Sequence, residues 1–169
     1  MSEAVVVARG LTKAFEAGRH PVWALRGVDL DVQPGEFLAL VGPSGSGKTT
    51  LLNLLGALDA PTAGELTVLG RRTASLSKHE RAQLRLTSIG FVFQAYNLVP
   101  VLTALEDVEF VLELQGVGEG RRRRARDVVK DLGLSELADR RINELSGGQQ
   151  QRVAVARAVA ARPKIVLAD

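Results

Sequence analysis

The sequence predicts an α/β fold: a buried parallel sheet carrying a glycine-rich loop, an antiparallel β layer before it and a helical insert after it. Three observations predict this. An unbroken apolar run, Phe37-Leu-Ala-Leu-Val41, leads into Gly42-Pro-Ser-Gly-Ser-Gly-Lys-Thr-Thr50 and then into a segment apolar at Leu51, Leu52, Leu54, Leu55 and Leu58. Alternating segments flank this unit, as the strands of a sheet solvated on one face do. Two capping-box spacings, Ser77/Glu80 and Thr103/Glu106, open helices before the chain reaches a last apolar strand, Ile165-Val-Leu-Ala-Asp169.

Composition narrows the class. At 169 residues, 46% apolar and 24% charged, the chain is about one globular domain with enough apolar surface for a core. There is no cysteine, which removes disulfides and cysteine metal sites. The N-terminus lacks a basic leader followed by an apolar run, and no stretch approaches the ~18 apolar residues of a membrane span. A cytoplasmic protein is expected. The net charge of +3 is compatible with nucleic acid or an anionic membrane face but too small to indicate either. The dense cluster Arg121–Arg124, with Arg126 beside it, reads as a solvated helix start after the Gly116–Gly120 turn. No aromatic residues interleave with it, so no single-strand stacking surface and no nucleic-acid partner is expected.

In chain order, Val5–Val7 and Leu11 read as a first strand ending in Thr12-Lys13-Ala14-Phe15, followed by a polar loop, Glu16–Pro21. Val28-Asp-Leu-Asp-Val32 alternates strictly and closes in a turn, Gln33-Pro34-Gly35-Glu36. Phe37–Val41 reads as a parallel strand buried on both faces, and Thr50–Leu58 as a buried helix. Asp59–Gly64 breaks that helix, and Glu65–Leu69 returns as a strand. A short helix runs from Ser77 to Leu86, and Ile89–Phe93 is a strand closing on Gln94. Leu105, Val108 and Leu112 fall at helical spacing, as do Val128, Val129 and Leu132 on the basic helix. Ser146 caps a helix entered through Leu145-Ser-Gly-Gly-Gln149.

The chemistry centres on Gly42–Thr50, which fits G-x-x-x-x-G-K-[ST] through Gly42, Gly47, Lys48 and Thr49. Glycines let the backbone wrap a polyphosphate with its N–H groups pointing inward, and the following helix start adds a partial positive charge. Lys48 would reach the β- and γ-phosphates, and Thr49 would offer its hydroxyl to Mg²⁺. Ser146-Gly147-Gly148 opens a second anion-facing helix start, without a lysine. Gln94 and Asp169 each end a strand on the edge where ligands sit, and Asp169 is suited to hold Mg²⁺ through water. Phe15 reads equally as an adenine platform or as a core phenylalanine.

Phosphate loop, Gln94, Leu145-Ser-Gly-Gly-Gln149 and a strand-terminal Asp169, in that order, resemble the nucleotide-binding domain of ABC transporters. The resemblance runs along the whole chain, including Ile89–Gln94, Asn97–Pro100, Leu102–Glu106 and Asn143–Ala154. It is greatest to the bacterial group acting in lipoprotein release, macrolide export and antimicrobial-peptide transport. It implies a P-loop NTPase with a RecA-like parallel sheet core, an N-terminal antiparallel β layer and a helical subdomain. It implies one incomplete domain over 1–169: residues 1–94 as β layer plus phosphate-loop core, 95–144 as helical subdomain, 145–169 as signature helix and Walker B strand.

The resemblance also implies roles. Gly42, Pro43, Ser44, Gly45, Ser46, Gly47, Lys48, Thr49 and Thr50 would be the Walker A motif binding ATP, with Phe15 at the aromatic A-loop position. Gln94 would be the Q-loop glutamine, and Asp169 the Walker B aspartate. Thr49, Gln94 and Asp169 would face Mg²⁺, and Lys48, Gln94 and Asp169 would serve catalysis. Leu145, Ser146, Gly147, Gly148 and Gln149 would be the signature motif, contacting the γ-phosphate of ATP bound to another subunit. The implied partners are a second nucleotide-binding domain and a transmembrane permease, at the cytoplasmic face of the inner membrane. In the family a catalytic glutamate follows the Walker B aspartate, and a dimer-contact loop and a histidine come later; the chain ends at Asp169, and His20 and His79 lie elsewhere. ATPase activity is therefore expected of the family, and weak nucleotide binding and poor hydrolysis of these 169 residues. A soluble ABC ATPase acting on ribosomes and a non-hydrolysing nucleotide-binding fragment remain as alternatives.

Overall fold

The computed structural model describes residues 3–18 and 20–169. Met1, Ser2 and Arg19, the last within the expected Glu16–Pro21 loop, lie outside the described residues. The chain divides into two compact units, Met1–Gln83 and Leu84–Asp169.

The first unit is built on an antiparallel sheet. Strand β1 (Val6–Ala17) pairs with β2 (His20–Val32) on one side and with β3 (Ala63–Val68) on the other, and β4 (Arg71–Arg72) completes the order β2-β1-β3-β4. The hairpin arms run further than the sequence pattern indicates: Glu16 pairs with Pro21 and Ala17 with His20. Gly18 adopts a φ of 63°, which tightens the connection, and Pro21 is tolerated because β2 is an edge strand. Val6 and Ala8 point into the core, and so does Leu11. That change of phase is set by a bulge between Ala8 and Leu11, where Gly10 takes a φ of 54° and its N–H donates to Asp29 at 2.6 Å. A side chain at Gly64 would run into the carbonyl oxygen of Gly10, so β3 packs beside the bulge only through a glycine. On β2, Val28, Leu30 and Val32 are half-buried while Asp29 and Asp31 are exposed, as the alternation requires. Arg9 forks onto Asp31 with two bonds of 2.8 and 2.7 Å.

Two expectations fail in this unit. Helix α1 spans Lys48–Leu55, so it stops short of Leu58. Gly56 ends it, Ala57 turns to a positive φ of 53°, and Leu58 is left 42% exposed while Leu51, Leu54 and Leu55 are buried. The run Phe37–Val41 forms no ladder with any described strand, and Phe37 and Val41 are 95% and 93% exposed. An apolar strand is buried on both faces only where neighbours supply hydrogen bonds and cover, and this run has neither. Helix α2 (Lys78–Ser88) follows, opened by Ser77 and Glu80 exchanging bonds of 2.8 and 3.2 Å as their spacing predicts.

The second unit pairs β5 (Ile89–Val92) in parallel with β6 (Ile165–Ala168), from Ile89 opposite Ile165 to Val92 opposite Ala168. Between them lie α3 (Ala104–Leu114), α4 (Arg121–Asp131) and α5 (Gly147–Ala160). Leu105, Val108 and Leu112 of α3 are fully buried against Ala125 and Val129 of α4 and Val153 and Ala156 of α5. The small residues of α5 allow close approach: a Cβ at Gly90 on β5 would lie 2.6 Å from the carbonyl oxygen of Ala158. Thr103 and Glu106 close a reciprocal capping box on α3. The basic start of α4 follows a turn at Gly120 with φ 90°; Arg121 pairs with Glu113 at 3.6 Å and Arg122 with Glu109 at 3.4 Å. Among the described residues no helix is long and apolar enough to cross a membrane.

Candidate nucleotide site

In the first unit the loop Gly42–Gly47 runs directly into α1, whose first residue is Lys48. Gly47 caps the helix in the left-handed region at φ 93°, and a Cβ there would stand 2.5 Å from the carbonyl oxygen of Ala24, so glycine is required twice over. Gly45 is also left-handed at φ 79°. No side chain caps α1 and no acidic residue stands in its first turn, so its partial positive charge is not offset locally. The Lys48 ammonium folds over the loop and donates to the carbonyls of Gly42 and Pro43 at 3.0 Å each. Gly42 to Ser46 are exposed and Thr49 lies on the accessible side of the first turn. Phe15 is 44% exposed on β1. The Lys13 ammonium sits over its ring, 5.1 Å from the centroid.

In the second unit the parallel register brings Gln94 and Asp169 to one edge. Val92 lies opposite Ala168, and the Asp169 N–H donates to the Val92 carbonyl at 3.0 Å, so both polar residues follow the C-terminal ends of neighbouring strands. Beyond Gln94 the chain turns sharply through Tyr96 and Asn97, with φ of 59° and 49°. Arg157 of α5 holds this turn, donating to the carbonyls of Tyr96 at 2.8 Å and Asn97 at 2.6 Å. The same guanidinium pairs with Asp107, whose other oxygen accepts the Val99 N–H at 2.9 Å. Burial pushes the Asp107 carboxyl above its ordinary range, against the Val99 N–H and Arg157, which pull it down.

The signature segment opens α5. Ser146 Oγ accepts the Gln149 N–H at 3.4 Å and the Gln149 side chain accepts the Ser146 N–H at 2.9 Å. Leu145 is buried and anchors the turn, and Gln150 donates to the carbonyls of Ile142 and Leu145 at 3.1 and 3.0 Å. A Cβ at Gly148 would meet nothing within 4 Å, and one at Gly147 only the Tyr96 hydroxyl, so the helix start is open to a ligand.

The phosphate loop and Phe15 thus belong to the first unit, and Gln94, Leu145–Gln149 and Asp169 to the second. Tyr96, Asp107 and Arg157 were not singled out by the sequence: the signals, an arginine within a small-residue helix and an Asn tolerant of left-handed backbone, are weak without the fold. Among the described residues no three His, Asp or Glu cluster.

A glycine loop running into a helix headed by lysine, with strand-end oxygen donors, defines the P-loop nucleotide-binding class. Residues 25–169 match the ABC transporter family, and the chain belongs to it. It is 47% identical over 166 residues to the ABC transporter ATP-binding protein MJ0796 of Methanocaldococcus jannaschii, covering 95% of this chain and 71% of that one. It is 47% identical to a lipoprotein-releasing system ATP-binding protein of Caulobacter vibrioides, covering 100% and 75%. It is 46% identical to a macrolide export ATP-binding/permease protein of Rhodopseudomonas palustris, spanning 100% of this chain but 26% of that protein. The solved dimer of the cassette MJ0796 bound to ADP and Pi superposes with a TM-score of 0.92 at 46% identity, over 97% of this chain and 73% of that one. The fold is that of a P-loop ABC cassette.

Proposed function

We propose that the chain is the ATP-binding part of a transporter ATPase, coupling closure of two cassettes to motion of a membrane permease. The observation that carries this is the Gly42–Gly47 loop entering α1 at Lys48, with positive-φ glycines at 45 and 47 and no acidic residue in the first turn. The backbone N–H groups would cradle the triphosphate, Lys48 would exchange its two loop carbonyls for phosphate oxygens, and Phe15 would stack on adenine. Thr49, Gln94 and Asp169 would hold Mg²⁺, which supplies charge neutralisation between the phosphates. Gln94 would orient water at that edge.

The open, serine-capped start of α5 is a second anion site without its own lysine. We infer that Ser146, Gly147 and Gly148 of one copy meet the γ-phosphate bound by Lys48 of another, so that ATP binds the closed pair better than the open one. In this reading residues 1–94 hold nucleotide, 95–144 form the helical subdomain facing the permease, and 145–169 carry the signature helix and the aspartate strand. A groove of about 250 Å³ in the second unit, lined by Leu86, Phe91, Phe93, Val111 and Arg157, is suited to receive an apolar permease element near Gln94. The lipoprotein-releasing and macrolide-export relatives favour export or extraction as the work done, at the cytoplasmic face of the membrane. Dimer formation tests the proposal: Mg-ATP should shift the sedimentation of the protein towards a dimer, and Ser146→Arg should block the shift while sparing nucleotide binding. Normal closure by Ser146→Arg would overturn the composite site.

A further inference from the structure

We propose that Lys13 is a positioning residue for the nucleotide base, backing the Phe15 ring so that its opposite face receives a purine; this rests on the reading of Phe15 as the adenine platform. Lys13 and Phe15 are two apart on β1 and share a face of the sheet. The Lys13 ammonium stands over one face of the ring, 5.1 Å from its centroid, while Phe15 remains 44% exposed. The ammonium is not free to leave. It donates to Asp59 at 2.7 Å and to the Ala60 carbonyl at 2.8 Å, and the Lys13 side chain is only 13% exposed.

Its anchor is fixed in turn. The Ala60 N–H donates to Asp59 at 2.7 Å, and the Leu58 and Asp59 N–H groups donate to the Asn53 carbonyl at 2.9 and 3.3 Å. Asn53 lies in α1, the helix that Lys48 heads. A second tie runs beside the first: Thr62 accepts the Ala14 N–H at 2.9 Å and returns its own N–H to Thr12 at 2.9 Å. The end of the phosphate helix is thereby linked to the base platform through one short path of hydrogen bonds. A phenylalanine has no polar handle, so it reads a base only by stacking. A cation on the far face draws on the ring's π density and immobilises it, which favours an electron-rich flat partner on the near face. The structure therefore assigns Lys13 two effects on one ring, orientation and polarisation.

The test compares Mg-ATP with Mg-tripolyphosphate, which carries the charge without the base, by calorimetric titration of the protein and of Phe15→Ala, Lys13→Met and the double variant. Phe15→Ala should weaken ATP roughly five-fold or more, the worth of one base–aromatic stack. Lys13→Met should weaken ATP about two- to five-fold, the range of an exposed cation–π contact. Tripolyphosphate binding should not change in either, and Lys13→Met should add nothing in the Phe15→Ala background. Equal losses for ATP and tripolyphosphate in Lys13→Met, or the same ATP loss once Phe15 is gone, would overturn the inference and leave the platform standing. An unchanged ATP affinity in Phe15→Ala would instead overturn the platform itself, and the role of Lys13 with it.

Discussion

Arg157 and Asp107, fifty residues apart, form an ion pair at 3.5 Å that ties α5, the signature helix, to α3. Asp107 is 1% exposed and Arg157 17%, so little water screens the pair. Arg157 spends its other donors on the Tyr96 and Asn97 carbonyls, and both residues hold left-handed backbone. The signature helix and the turn after Gln94 are thus joined by one side chain.

Arg157→Ala should destabilise the protein by about 3 kcal/mol at neutral pH, because it leaves a buried carboxylate without its partner. The sign of the pH dependence follows from Asp107, whose pKa is raised in the fold by burial. A raised carboxyl contributes stability below its unfolded pKa and loses it as pH rises through the folded value. The damage of Arg157→Ala should therefore shrink as pH is lowered from neutrality into the carboxylate range. Urea unfolding of both proteins across that range checks it; a pH-independent difference would mean the pair is not what Arg157 supplies.

Asp59 behaves oppositely. Burial opposes its ionisation, but Lys13 and the Ala60 N–H overcome that and hold its pKa below 3.8. A lowered carboxyl contributes stability above its unfolded pKa, and loses it as pH falls through the folded one. Asp59→Asn should be less stable than the parent at neutral pH, and the gap should close as pH drops below 3.8. Parallel acid-unfolding curves measure it, and a gap that persists in acid would exclude the ion pair as the cause.

Gly47→Ala should damage phosphate binding and stability together. Its φ of 93° costs a non-glycine residue about 1–3 kcal/mol. The added methyl would also press within 2.5 Å of the Ala24 carbonyl, forcing the loop off β2. Thermal unfolding and Mg-ATP titration should both report the loss.

Ser146→Ala removes the hydroxyl that accepts the Gln149 N–H and should cost about 1 kcal/mol. Ser146→Asp keeps a capping oxygen, so it should recover that stability while placing a negative charge where the proposed γ-phosphate contact lies. Comparing denaturant midpoints with ATP-driven dimerisation separates the cap from the contact.

The parts legible in the sequence were those that local chemistry decides. The capping boxes at Ser77 and Thr103 need only a hydroxyl and a Glu three residues on, and both form; Ser146 caps α5 as read, and Gln149 completes a third box that the spacing also allows. The phosphate loop and the alternation of Val28 to Val32 were readable for the same reason. Phe37–Val41 was misread because strand formation depends on neighbours that no local pattern specifies. Leu58 was misplaced because Gly56, inside an apolar run, stops the helix. The Arg157 and Lys13 contacts join residues 60 and 47 positions apart, a distance at which periodicity carries no information. The meeting of Gln94 and Asp169 at one strand edge was readable in outline, from two apolar strands each closing on a polar residue, but its register came only with the fold.

The central claim is that Lys48 and its loop bind the phosphates of ATP. Calorimetric titration of the protein and of Lys48→Ala with Mg-ATP tests it most directly, with thermal unfolding as the control for folding. The account predicts saturable binding by the parent and a loss of about tenfold or more in the variant, the worth of a charged hydrogen bond to phosphate, at an unchanged midpoint. Equal affinity in the two proteins would contradict it.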